Sequence, residues 1–305
     1  MKVLVVEDDL EINELLGEYL ALENIKYLQA ITGRSGIHQA NELHPDAIIL
    51  DLMLPDIDGF EVARALTTCR ATFDIPIVIL SCMCQEGDRE KGFAAGALHY
   101  MNKPFLPDDL LAVLRDAFAW RSGLRSPPLS PPGGTVTLGD KDATIGLRAI
   151  NAMMADLFAR TNLPDAEVGQ IRQAIESLGE WARQWNRDHK SQIQVRVDYK
   201  MTSGTGGEGE TGGGIEWRLS ESEPGLLGEA FFKPAAVLTT TWLQLLAKTG
   251  AARFEKDSTA RTVRFTRTLG VDGEVAPTPT VPVVEIDGTR YPTRLRDEAL
   301  AAKRK

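Results

Sequence analysis

Apolar residues fall into two alternating rhythms over the first 121 positions. Short, nearly continuous apolar runs at 2–6, 26–30, 46–50, 75–80 and 97–101 have the length of buried strands. Between them the spacing changes to that of helices. Ile12, Leu15, Leu16, Tyr19 and Leu20 recur at helical intervals and predict a single buried face. Similar stripes run through 60–66 and 110–118. Five strands alternating with five helices predict βαβ crossovers, and so an α/β domain built on a doubly wound five-stranded parallel sheet, residues 1–121.

The pattern breaks at 122–134, SGLRSPPLSPPGG. Four prolines, three glycines and three serines predict a semi-rigid linker with no core to bury. Beyond it, 136–138 is a short strand-like run. The stretch 147–160 is helical, with Leu147, Ile150, Met154, Leu157 and Phe158 on one face. In the NLPD turn at 162–165, Pro164 suits the first helical turn and Asp165 complements the helix dipole. A long helix is predicted over 166–189, and the spacing of Ile175, Trp181 and Trp185 on it predicts a buried face. Ile193, Val195, Val197 and Tyr199 alternate as in a half-buried strand.

The loop at 202–214 holds seven glycines. It lacks the Lys-Ser/Thr of a phosphate-binding loop and lies between two strands, which predicts a flexible hairpin insertion. A strand at 215–219, a helix at 235–248 and two strands within 251–269 complete an α+β two-layer sandwich over 135–270. Residues 271–305 are expected to form a hairpin about Asp287-Gly288 and a charged tail from 294 onward, solvated or touching an acidic partner.

Charge sharpens the division. Residues 1–123 carry 10 Lys+Arg and 20 Asp+Glu, a net of −10, whereas the remainder comes to +1. Neither part has the basic footprint of a nucleic-acid binder, so no nucleic-acid partner is expected. No apolar run reaches the ~18–20 residues of a membrane span. Three cysteines, Cys69, Cys82 and Cys84, make neither a disulfide framework nor a zinc-site spacing, and fit a reducing cytoplasm. His38, His44, His99 and His189 have no metal-ligand spacing and are expected in structural or surface roles.

In parallel sheets of this kind ligands sit beyond the carboxyl ends of the strands. There the sequence places Glu7, Asp8 and Asp9 after the first run, Asp51 after the third, Ser81 after the fourth and Lys103-Pro104 after the fifth. Crowded carboxylates repel one another unless a hard cation lies between them, and oxygen ligands suit Mg²⁺. A carboxylate in that setting can attack phosphorus and form an acyl phosphate, with Lys103 neutralising and Ser81 hydrogen-bonding its oxygens.

VLVVEDD, DLMLPDIDG, IVILS and the Tyr100-x-x-Lys103-Pro104-Phe105 segment follow one another as in response-regulator receiver domains, which residues 1–121 resemble over their full length. The resemblance implies the flavodoxin-like receiver fold and a phosphoacceptor at Asp51. It implies Mg²⁺ held by Asp8, Asp51 and the backbone carbonyl of Met53, with Glu7 as the second acidic-pocket residue. Ser81 and Tyr100 match the switch pair, Lys103 matches the phosphate-contacting lysine, and the Lys103-Pro104 bond is expected to be cis. Cys82 stands where the family more often has alanine. Met53 and Met83, two residues after Asp51 and Ser81, either pack locally or shield an acyl phosphate from water.

The order of elements over 135–270 resembles the ATPase domain of anti-sigma-factor serine kinases, within the histidine-kinase-like ATPase superfamily. That resemblance rests on pattern, and the motifs are degenerate. Glu176 stands at the family's first position on the long helix, but Glu180 replaces the Mg²⁺-holding Asn, and Glu221-x-Glu223-x-Gly225 replaces Asp-x-Gly-x-Gly. A Glu side chain where glycine admits close backbone approach obstructs a nucleotide. The second domain is therefore expected to have lost ATP binding.

Together these readings predict a cytoplasmic two-component protein. A sensor histidine kinase or phosphotransfer protein phosphorylates Asp51, and the output domain meets a protein partner of a sigma-factor pathway. Activity beyond receiver self-phosphorylation and dephosphorylation is not expected, and a homodimer is left open. The alternatives are a phosphorylation-controlled serine kinase of anti-sigma type or a DNA-binding transcriptional regulator.

Overall fold

The computed structural model describes residues 1–83, 85–126, 133–138, 143–189, 193–200, 214–221, 253–257, 262–268, 283–286 and 289–291. They belong to two compact units, the first from Met1 to Pro127 together with Met154–Ala159, the second comprising the rest.

In the first unit, strands β1 (Lys2–Val6), β2 (Lys26–Ala30), β3 (Ala47–Leu50), β4 (Ile77–Ser81) and β5 (His99–Asn102) alternate with helices. These are α1 (Leu10–Leu22), α2 (Gly33–Leu43), α3 (Gly59–Thr67), α4 (Glu86–Ala94) and α5 (Pro107–Arg125). Every strand pair is parallel and the sheet order is β2-β1-β3-β4-β5, the flavodoxin-like arrangement. The three central strands are buried on both faces, which is why they carry unbroken apolar runs. Val3, Val5, Ile49, Val78 and Leu80 pack with Leu16, Leu20, Leu110 and Leu114 of α1 and α5 in one core layer.

The buried face of α1 differs from the one its apolar stripe predicts. Leu16 and Leu20 are buried, but Leu15 is 41% exposed, and the remaining buried positions are Asn13 and Gly17. Helix entry points follow from local chemistry. Asp9 caps α1 by accepting from the amides of Glu11 and Ile12. Thr32 and Ser35 form a capping box on α2, and Asp56 adds bonds from Gly33 and Arg34 N–H at 2.7 and 3.0 Å. Those amide bonds hold the Asp56 pKa below the ordinary carboxylate value.

Helix α5 runs to Arg125 and the next strand begins at Gly133, so both ends of the expected linker 122–134 are regular structure. The last turns of α5 are fastened to the sheet's amino edge. Buried Arg121 donates to the Pro45 carbonyl, and pairs with Asp46 at 3.1 Å and Asp74 at 3.3 Å. Arg125 meets the same Asp74 carboxylate at 2.6 Å.

The second unit contains β6 (Gly133–Leu138), α6 (Ala143–Arg160) apart from its Met154–Ala159 segment, α7 (Asp165–His189), β7 (Ile193–Lys200), β8 (Gly214–Glu221), β9 (Arg253–Asp257), β10 (Thr262–Thr268), β11 (Val283–Ile286) and β12 (Thr289–Tyr291). Its described strands join in the order β12-β11-β9-β10-β8-β7-β6, antiparallel except that β11 runs parallel to β9. The hairpin expected as a separate tail therefore belongs to the sheet, and the sheet extends past position 270. Leu138 of β6 lies against two helical glycines, Gly146 of α6 and Gly179 of α7, where added Cβ atoms would come within 2.6 and 3.0 Å of it. Leu147, Ile150, Met154, Leu157, Phe158 and Ile175 are buried as predicted, but Trp181 and Trp185 are half-buried, with ring centroids 5.6 Å apart. The expected glycine loop 202–214, except Gly214, the helix 235–248 and the tail 294–305 lie outside the described residues.

Replacing Arg121 with Ala leaves Asp46 and the Pro45 carbonyl without its guanidinium, while Asp74 keeps Arg125. Loss of one partner from such a buried cluster costs about 3 kcal/mol. Urea denaturation of Arg121→Ala is expected to show that loss; unchanged stability would show that the clamp is energetically neutral.

Candidate functional site

The strand order sets the site. β1 and β3 are adjacent, so Glu7 and Asp8 at the end of one lie beside Asp51 at the end of the other. Carboxylate oxygens from all three lie within 4.8 Å of one another, the cluster among the described residues fit to hold a metal ion. Glu7 and Asp51 are buried and Asp8 is exposed, which leaves the cluster open on one side. An all-oxygen, multiply anionic donor set suits a hard divalent cation, and receiver domains bind Mg²⁺ at such an acidic pocket.

Lys103 enters from β5, two strands away from β3. Its Nζ lies 2.5 Å from Glu7 Oε2 and 3.0 Å from Asp51 Oδ2. The other Asp51 oxygen accepts from the Leu52 amide at 2.7 Å. Burial works against the charge on Lys103, but its bonds to the two carboxylates outweigh burial and raise its pKa. Burial pushes the Glu7 pKa up from 4.5 to about 7; the bond to Lys103 opposes that shift and the charge of Asp51 adds to it.

Ser81 is fully buried at the end of β4, and its Oγ accepts from the Met83 N–H at 3.3 Å. The Tyr100 hydroxyl donates to the Met83 carbonyl at 2.8 Å, and the ring is buried. The backbone of one residue, Met83, thus touches both members of the expected switch pair, through its N–H and its carbonyl. Met53 is 64% exposed at the rim, and Met83 is half-buried. The Lys103-Pro104 bond is cis, as expected.

The structure brings Glu7, Asp8, Asp51 and Lys103 together and places Ser81 and Tyr100 against the N–H and the carbonyl of Met83. Glu176 lies elsewhere, on α7, paired with Arg172 at 2.8 Å; Arg172 also donates to Asn151 of α6 at 2.9 Å. Glu180 is exposed, and Gly225 lies outside the described residues.

Sequence reasoning missed the glycines and the asparagine that support the site. A Cβ at Gly59 would lie 2.5 Å from the Asp51 carbonyl oxygen, so only glycine lets α3 begin this close to Asp51. A Cβ at Gly92 would lie 2.7 Å from the Tyr100 ring, so α4 makes room for the inward tyrosine. Asn13, buried on the apolar side of α1, donates to the Glu7 carbonyl at 2.6 Å. A polar side chain beside the apolar stripe was the available signal.

Residues 3–115 match the family model of the response regulator receiver domain, and this segment is such a domain. The DNA-binding dual master transcriptional regulator RpaA of Synechocystis is 39% identical over 114 residues, 37% of this chain and 47% of that protein. The transcriptional regulatory protein ResD of Bacillus subtilis is 40% identical over 120 residues, 38% of this chain and 49% of that one. The chain thus spans about half the length of these curated relatives. The BeF3-activated N-terminal receiver domain of Klebsiella pneumoniae RstA is 30% identical, with a TM-score of 0.37 over 39% of this chain and 98% of that one. No described helix is long and apolar enough to cross a membrane.

The raised Glu7 pKa has a defined consequence for stability. The protonated form is favoured in the folded state, so this contribution is complete below about 4.5 and is lost as the pH rises through about 7. Urea denaturation in EDTA is therefore expected to show Glu7→Gln gaining on wild type by roughly 3 kcal/mol between pH 4 and pH 8. A gap that does not change with pH would show that folding leaves the Glu7 pKa unshifted.

Proposed function

We propose that the chain is a two-component response regulator. Asp51 accepts a phosphoryl group from a sensor histidine kinase or phosphotransfer protein, and the second unit is a protein-interaction output without ATP binding. The observation that carries this reading is the Lys103 ammonium held between Glu7 and Asp51, beside the open acidic cluster.

A carboxylate oxygen of Asp51 forms the new P–O bond as the donor's P–N bond breaks, and the electron pair and a proton end on the donor's imidazole. Asp8, Asp51 and the Met53 carbonyl would hold Mg²⁺, with Glu7 beside them, and the ion would supply charge neutralisation for the phosphoryl oxygens. Lys103 supplies the fixed positive charge. A phosphoryl group on Asp51 draws the Ser81 hydroxyl, which now accepts from the Met83 N–H; because the Met83 carbonyl holds Tyr100, the displacement reaches that ring through the backbone of one residue. The two arrangements constitute the switch.

For the second unit, a degenerate histidine-kinase-like ATPase fold is supported by the succession from β6 through α6, α7 and β7 to β8. The Arg172 guanidinium occupies the Glu176 carboxylate, and exposed Glu180 adds negative charge where a polyphosphate would need a cation. A protein partner of a sigma-factor pathway follows by analogy. The relatives named as DNA-binding regulators favour a second reading, a nucleic-acid output. Against it, α7 opens on Asp165 and Glu167, and an acidic first turn repels phosphates where a recognition helix meets the groove.

Phosphodonor and Mg²⁺ are expected to give the full chain an acid-labile phosphoryl group that Asp51→Asn abolishes; labelling that survives the substitution would remove Asp51 from its role. If Met53 and Met83 shield the acyl phosphate, its lifetime falls several-fold in a Met53→Asn, Met83→Glu variant, and an equal lifetime assigns both residues to packing. Calorimetry with Mg²⁺-ATP should show no binding to Asp51→Asn at millimolar nucleotide. Micromolar binding would instead make the chain a switchable serine kinase, and a salt-dependent shift of random duplex DNA would restore the nucleic-acid output.

A further inference from the structure

Asn13 is an amide with no solvent exposure, on the core-facing side of α1 next to Leu16 and Gly17. A buried amide is costly unless its hydrogen-bonding capacity is used. Here it is. Nδ2 donates to the Glu7 carbonyl at 2.6 Å and to the Ala30 carbonyl at 3.3 Å, and Oδ1 accepts from the Tyr27 hydroxyl at 2.5 Å. The Ala30 carbonyl also accepts from the Glu7 N–H at 3.1 Å. Both polar groups of the Glu7 backbone are therefore fixed, and Asn13 spans the carboxyl ends of β1 and β2.

Tyr27 reaches Asn13 because α1 has no side chain at the point of approach. A Cβ at Gly17 would lie 3.0 Å from the tyrosine ring. Tyr27 is half-buried, and desolvation followed by the charge of Glu14 raises its pKa, so the hydroxyl stays a proton donor at neutral pH. The chain of bonds runs from Tyr27 through Asn13 to the residue from which the Glu7 and Asp8 carboxylates leave β1.

We infer that Asn13 and Tyr27 are positioning residues of the acidic pocket, a buried brace that holds the Glu7–Asp8 turn in the geometry that binds the divalent cation. Neither touches the cation or the phosphoryl group. A filler of the core would need no amide at position 13, and leucine would serve it. The amide is explained by the three polar atoms it joins, two of which belong to strand ends bordering the pocket. The inference rests on the reading of Glu7, Asp8 and Asp51 as the Mg²⁺ pocket.

The test is calorimetric titration of Mg²⁺ into the full chain without phosphodonor, for wild type, Tyr27→Phe, Asn13→Leu and the double variant, with thermal unfolding of each in EDTA. Outer partners of metal ligands typically contribute about tenfold in affinity. Tyr27→Phe is expected to weaken Mg²⁺ several-fold and Asn13→Leu by about tenfold. Adding Tyr27→Phe to Asn13→Leu is expected to change nothing more, because the tyrosine acts through the amide. If Asn13→Leu does not fold, Tyr27→Phe alone decides. A wild-type Mg²⁺ affinity retained in folded variants, with only the unfolding temperature lowered, would overturn the brace and leave the pocket standing. Failure of the wild type to bind Mg²⁺ at millimolar concentration would overturn the pocket, and the brace with it.

Discussion

The first unit is organised around one ammonium group shared by two buried carboxylates. At 3.0 Å the Lys103–Asp51 attraction is on the order of 5 kcal/mol at the effective dielectric of a protein site, and the Glu7 pair is closer still. Desolvation of three charges opposes that gain. Carboxylate, ammonium and carboxylate still leave one net negative charge, and exposed Asp8 adds another beside it. The net negative charge suits a further cation, and burial raises the Glu7 pKa.

The sheet exists in the form this cluster needs. With β1 between β2 and β3, the carboxylates at the ends of β1 and β3 become neighbours about 5 Å apart. Lys103 comes from β5, roughly two strand spacings from β3, so a long side chain must cross the end of β4. That end carries Ser81, which is small and buried. Lysine at the far strand, serine on the strand between and a glycine start to α3 are three aspects of one geometric requirement.

The central strands were legible because they are buried on both faces and leave unbroken apolar runs. The site residues were legible because each stands where such a run ends. The face of α1 was not, because periodicity counts Leu15, which is exposed, and passes over Asn13 and Gly17, which are buried. α2 and α4 gave no apolar stripe for a related reason. At Gly36 and Gly92 the contact surface is supplied by Val6 and Tyr100, and a hydropathy pattern cannot register a missing side chain. In the second unit, alternation disclosed which side of β7 is buried, but not which strand lies beside β9. β11 joins β9 in parallel across a separation in sequence that no local pattern records.

The supporting residues divide by what they hold still and what they leave free. At Glu7 the backbone carbonyl, the backbone N–H and one carboxylate oxygen are held, by Asn13, by Ala30 and by Lys103. Around Ser81 the restraint is weaker. Its hydroxyl accepts one amide at 3.3 Å, from Met83, whose carbonyl also holds Tyr100. A new anion on Asp51 therefore meets a rigid wall on the β1 side and a displaceable one on the β4 side. The two walls are built from different residues, so cation binding and signal transmission can be altered separately. The proposed switch is expected to move on the β4 side, where among the described residues one amide bond at 3.3 Å restrains the Ser81 hydroxyl.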